Sequence, residues 1–241
     1  MQLFMIFLSA MIGGTVQSIT GFGSSIFTML ALPLILPMLK ATALSSFILL
    51  WLNLFLVIQY RKWIRPKLIA LPMASYLIFN FLGVQTARVS DVVKLKAYFG
   101  LFLILMALYF IFVAKRINIR GSAKSALICG GLSGFLAGLF GIGGPPAALS
   151  FLAVTEDNKN LYIANIQTVF VAGCISSFLI RVSTGIFTAD MLPMALPGIV
   201  GVWFGKQIGV RILDRISIEM VRKLVYIFLA VSGAVTFLSN I

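Results

Sequence analysis

The sequence predicts an all-α polytopic membrane protein built from two inverted-topology repeats, each a glycine-broken helical hairpin followed by three transmembrane helices. Three observations carry that expectation. The 241-residue chain is 61% hydrophobic and 10% charged, with a mean hydropathy of +1.09. A water-soluble domain carries about a quarter charged residues, because its surface must be solvated. Second, the stretches Leu3–Leu39, Ala97–Ala114 and Leu224–Ile241 hold no charged residue. Runs of this kind suit helices that cross a hydrocarbon layer roughly 30 Å thick. Third, glycines recur at a near-constant offset between the two halves.

Apolar segments fall near residues 3–19, 24–39, 41–60, 68–87 and 95–114, and a second series near 125–140, 144–155, 161–181, 190–210 and 220–240. Between them the polar run KRINIRGSAK, residues 115–124, reads as a cytoplasmic linker joining a first membrane repeat (1–114) to a second (125–241). The Met1 end lacks a basic n-region and its apolar character runs past a typical h-region, so it is not read as a cleaved signal peptide.

A shift of 120 residues places Gly14 on Gly134, Gly21 on Gly141 and Gly23 on Gly143. Nearby shifts of 122 to 125 place Gly83 on Gly205, Gln85 on Gln207, Asp91 on Asp214 and Pro72 on Pro197. Apolar matches mean little in a membrane protein, whereas Gly, Pro, Gln and Asp matches in order point to duplication.

Charge gives the copies a direction. With an odd number of crossings per half, 14 of the 19 Lys and Arg share one face and 5 the other. An even number splits them 10 to 9. The positive-inside rule therefore favours inverted copies in the inner (plasma) membrane, with both termini on the non-cytoplasmic side. The same clustering between apolar runs argues against a nucleic-acid partner, which needs a continuous basic groove.

The glycine-rich breaks are where chemistry is expected. The first reads Gln17-Ser18-Ile19-Thr20-Gly21-Phe22-Gly23-Ser24-Ser25, the second Gly141-Ile142-Gly143-Gly144-Pro145-Pro146. Each lies between apolar segments of roughly 12–17 residues, short for a span. Glycine ends helices and proline starts them, so a helix should stop before each break and restart after it. Restarting helices present free N–H groups and the positive end of a dipole, which favours an anion. Thr20, Gln17, Ser24 and Ser25 add neutral donors, while the competing reading is that the glycines serve close helix packing. Gln85 and Gln207 are further binding candidates, being equivalent by repeat. Asn53, Asn80, Asn165, Gln167 and Thr168 are expected within the membrane, Lys206 to snorkel, and Arg181 to sit at a helix end. Cys129 and Cys174 read as core thiols.

The paired elements QSITGFGSSIFTMLALPLIL and GFLAGLFGIGGPPAALSFL resemble the TauE/SafE sulfite exporter family over essentially the whole chain. The resemblance implies an anion permease, with sulfite or a small organosulfur anion such as sulfoacetate as cargo.

Histidine is absent, and the six acidic residues fall in loops or at helix ends. No metal site, cofactor or acid–base pair is expected, so the chain is not read as an enzyme. The expected partners are a small anion and membrane lipids, with homo-oligomerisation left open. An anion channel, or a non-transporting membrane subunit or enzyme, is the alternative to a permease working by alternating access between the two breaks.

Overall fold

A computed structural model describes residues 1–90, 121–155 and 158–217, together with Met220 and Lys223. The segments expected near 95–114 and 220–240, and most of the linker, lie outside the described residues. Eight α-helices are described: α1 (Gln2–Thr20), α2 (Ser24–Ala31), α3 (Met38–Tyr60), α4 (Pro66–Val89), α5 (Ala123–Phe140), α6 (Gly144–Val154), α7 (Lys159–Ser183) and α8 (Leu192–Leu213). Among the described residues no strand occurs. Helices α1, α3, α4, α5 and α7 are long and apolar enough to cross a membrane. The chain is a multi-pass membrane protein. Its exterior agrees, since Phe4, Ile78, Leu179 and Leu196 are exposed while Gln17, Asn53, Asn80 and Gln167 are buried.

The break in each half differs from expectation in one respect. Helices α1 and α5, at 19 and 18 residues, are of spanning length, and only α2 and α6 are short. The short helices fold back. Ser24 lies against Gly13, Ala147 N–H donates to Ser133 Oγ at 2.8 Å, and Val154 reaches Gly121 at the start of α5. Each pair is therefore a hairpin whose second arm returns beside the first.

Directions follow from which residues face each other. Gly201 lies on Phe7, Gly205 on Met11 and Gly209 on Thr15, so α1 and α8 run parallel. Gly130 lies on Pro72, Gly134 on Tyr76 and Gly138 on Asn80, so α4 and α5 run parallel too. These are equivalent seams: the first helix of each half lies along the fourth helix of the other. Small residues let backbones approach closely where no water drives association. The repeat-matched pairs Gly14/Gly134 and Gly83/Gly205 are thus seam glycines.

Helix α3 runs antiparallel to α7, since Asn165 bonds Trp63 and Arg65 at one end while Arg181 bonds Ser46 at the other. Lys159 at the start of α7 donates to the carbonyls of Leu213 and Ile216. The ends of α3, α6 and α8 and the starts of α4, α5 and α7 therefore gather at one end of the bundle. That end carries Arg61, Lys62, Arg65, Lys67, Lys124, Lys159, Arg211 and Arg215. Helix α1 points toward this basic end and α5 away from it.

Candidate functional site

Both breaks are built by the same local device. Gly21 (φ 85°) and Gly141 (φ 75°) take the left-handed conformation that closes α1 and α5, each N–H bonding four residues back to Gln17 and Ala137. A Cβ would be strained there. The chain then reverses into α2 and α6. Because α1 and α5 point in opposite directions, the two loops meet, and a Cβ placed at Gly144 would lie 2.5 Å from Phe22 Cβ.

Between the loops is a cavity of about 40 Å³. A water needs roughly 10–15 Å³ on this measure, so the space suits a few waters or a small ion. Gln17, Phe22, Gly23, Ser25, Gly141, Gly143 and Gly144 line it, together with Ser46, Asn53, Tyr76, Phe170, Gly173, Cys174 and Ser177.

Gln17 organises the first side. Its Nε2 donates to Asn53 Oδ1 (2.6 Å) and Gln167 Oε1 (3.1 Å), and its Oε1 accepts from Ser24 N–H (3.2 Å). Gln167 Nε2 donates to the Gly21 carbonyl at 2.7 Å, and Tyr162 Oη to the Thr20 carbonyl at 2.7 Å. Helix α7 thereby satisfies the carboxyl end of α1, whose last carbonyls have no partner within their own helix. On the second side Pro145 and Pro146 bring no N–H. The amides of Gly143 and Gly144 make no hydrogen bond within the described structure.

The remaining expected site residues sit around this wall. Thr20 Oγ1 donates within its own loop, to the Phe22 and Val16 carbonyls. Ser24 is fully buried against Gly13, and its Oγ has no hydrogen-bond partner among the described residues. Ile142 is buried, as is Pro145 at the start of α6. Gln85 and Gln207 are not brought to the cavity. Gln85 Oε1 accepts from Arg88 on the outer side of α4, and Gln207 is half-buried beside the seam glycine Gly205.

Lys206, 9% exposed, reaches along α8 to Oε1 of the exposed Gln59 (3.0 Å), near the basic end of α3. One basic residue departs from the sequence reading. Arg181 is 1% exposed, its guanidinium bonded to Ser46 Oγ and the Gly138 carbonyl. Tertiary packing decides the Arg181 position, since α3 and α5 close over its guanidinium.

On the wall supplied by α3 and α7 the sequence reading singles out Asn53 and Gln167 as intramembrane polar residues but not Ser46, Cys174 or Ser177 as lining residues. A signal was present: Gln167, Phe170, Cys174, Ser177 and Arg181 recur every three or four residues, as do Thr42, Ser46, Leu49 and Asn53. In a membrane the polar stripe faces inward, the reverse of a soluble helix.

The family model for the sulfite exporter TauE/SafE matches residues 6–236. The chain belongs to the TauE/SafE family. This TauE/SafE chain is also 27% identical over 177 residues to "Probable membrane transporter protein MJ0441" of Methanocaldococcus jannaschii, covering 68% of the chain and 65% of that relative. The chain thus spans slightly less than two thirds of that curated relative's length. No solved structure matches it.

Cys174 gives the TauE/SafE cavity a chemical probe. It accepts from Asn53 Nδ2 at 3.4 Å and is half-buried, as is the other described cysteine, Cys129. In a Cys129→Ala background, a small charged methanethiosulfonate should label Cys174 and stop flux. A small permeant anion should slow the labelling. Labelling at an unchanged rate in saturating anion would separate the cavity from the pathway.

Proposed function

We propose that this chain is a secondary permease for a small anion, sulfite or a small organosulfur anion, exposing one central site alternately to each side of the inner membrane. The observation that carries the reading is the convergence of two glycine loops, from helices running in opposite directions, on one cavity where the Gly143 and Gly144 amides make no hydrogen bond among the described residues. Irregular backbone inside a membrane persists where it lines a cavity. Amides at helix starts, with the dipole behind them, favour negative charge.

The equivalent seams α1–α8 and α4–α5 give a rocking motion its two bodies, as inverted repeats do in secondary transporters. The basic end faces the cytoplasm under the positive-inside rule, which puts the N-terminus outside. The membrane potential then expels a monoanion with about 2.3 kcal/mol per 100 mV. Reporter fusions at Lys40 and Lys62 should report opposite sides, with Lys62 inside. A common location would overturn the orientation.

The function itself is tested by purified protein in liposomes, offered sulfite, sulfate, thiosulfate and short sulfonates. Saturable counterflow of a sulfur oxyanion is the expected result. Large unitary currents would instead make it a channel.

A further inference from the structure

Among the described residues, Arg181 is buried without a compensating charge. Its guanidinium donates through Nη1 to Ser46 Oγ at 3.2 Å and through Nη2 to the Gly138 carbonyl at 2.9 Å. Both partners are neutral. The titratable groups facing it are Cys174 on its own helix and Tyr76 on α4; thiol and phenol are ordinarily uncharged at neutral pH. Helix α3 presents Ser46 and α5 the Gly138 carbonyl, and no carboxylate is buried among the described residues. A guanidinium stays protonated, and a buried ion lacking its counter-ion is costly.

Its neighbours explain what could compensate it. Ser46, Tyr76, Cys174 and Ser177 all line the cavity between the two breaks, so the guanidinium stands one side chain behind that wall. An anion in the cavity supplies the missing charge. Lys206, the other buried cation among the described residues, bonds the exposed Gln59 near the basic end and does not line the cavity.

One fixed positive charge sets the valence of what it neutralises. A monoanion leaves the loaded site neutral, whereas a dianion leaves a net negative charge in a low-dielectric interior. That burial is disfavoured for the reason that isolated buried ions are. We propose that Arg181 is the specificity-determining charge of the site and that the transported form is a singly charged oxyanion, such as hydrogensulfite or a short alkylsulfonate. This rests on the anion-permease reading above. Arg181 also meets one of the last carbonyls of α5, a capping role that a neutral donor could fill. The two roles separate once the charge is removed and the donor kept.

The experiment uses the full chain in proteoliposomes and two substrates. Methanesulfonate is a monoanion throughout, whereas sulfite passes from mono- to dianion near neutral pH. Between about pH 6 and about pH 8, methanesulfonate flux should stay level. Sulfite flux should fall along the monoanion fraction, approaching tenfold per pH unit on the alkaline side. Arg181→Gln, which keeps a donor for Gly138, should lose at least about tenfold on both substrates. Arg181→Lys should recover methanesulfonate flux with the wild-type pH profile.

Sulfite flux that holds level or rises with pH while methanesulfonate is carried would overturn the assignment. So would wild-type rates in Arg181→Gln. The wild-type pH profile decides the matter even if that variant fails to insert. Failure of the wild type to move either anion would sink the permease reading itself, and this assignment with it.

Discussion

Replacing Gly144 with valine should reduce anion flux by more than about a hundredfold while leaving the chain in the membrane. A Cβ at Gly144 would stand 2.5 Å from Phe22 Cβ and 2.7 Å from Cδ2, so valine and the aromatic side chain cannot share the space. Overpacking of this kind typically costs about 1–3 kcal/mol. Here the displacement falls where the two breaks touch, and the cavity is only about 40 Å³. Insertion depends on the apolar exteriors of the spanning helices, which the change does not reach. Gly143→Val should act similarly, because its Cβ would lie 2.2 Å from the Ser133 carbonyl oxygen. Gly185→Ala is the control. It sits in the turn after α7 with φ 69° and nothing within 4 Å, so it should cost about 1 kcal/mol locally and leave flux near wild type. Counterflow normalised to inserted protein measures all three. More than half the wild-type flux in Gly144→Val would mean that the breaks do not form the pathway.

Gln17→Glu should be nearly as damaging, for an electrostatic reason. The new carboxylate keeps the acceptor for Ser24 N–H but turns an oxygen toward Asn53 Oδ1 and Gln167 Oε1, where Gln17 offers its amide nitrogen. It also places negative charge on the cavity wall. At a separation of about 5 Å and an effective dielectric of about 20, repulsion of a monoanion is about 3 kcal/mol, over a hundredfold in affinity. Burial and a neighbouring anion both raise a carboxyl's pKa, so the penalty is present above that raised value and relieved as pH falls through it. Methanesulfonate flux should therefore recover on acidification. Gln17→Met serves as the comparison, since it strands the same partners without adding charge. Each stranded buried group costs about 1–3 kcal/mol, and acid should not restore its flux. A Gln17→Glu protein with no pH dependence would place Gln17 outside the anion's field.

The positions of the two helix breaks are legible in the sequence, because glycine conformation is local. Gly21 and Gly141 were expected to end helices and do so. Phe22, Gly23, Ser25, Gly143 and Gly144 were expected beside one another and line one cavity. Gln85 and Gln207 show the limit of repeat arguments. Their match with each other is real, yet Gln85 bonds Arg88 on the outer side of its helix and neither glutamine lines the cavity. Repetition identifies equivalent positions, and here the adjacent seam glycines account for part of it. Arg181 shows the opposite failure. A basic residue two positions from the end of a spanning helix reads as an interface anchor, and only the approach of α3 and α5 turns it inward.

The glycine clusters stand in the structure as loops closing two full-length helices, each followed by a short return arm. Composition and charge-free runs determined the membrane class, because crossing hydrocarbon requires apolar length whatever the fold. Glycine and proline spacing determined where the helices stop and restart, because backbone conformation at those residues is a local property. Which wall faces the loops was settled only by tertiary structure. The antiparallel contact of α3 with α7 brings Asn53 to Cys174 and Ser46 to Arg181 across more than a hundred residues of chain. The stripes mark which face of each helix is polar, but not which helix that face will meet, because their hydrogen-bond partners lie on other elements.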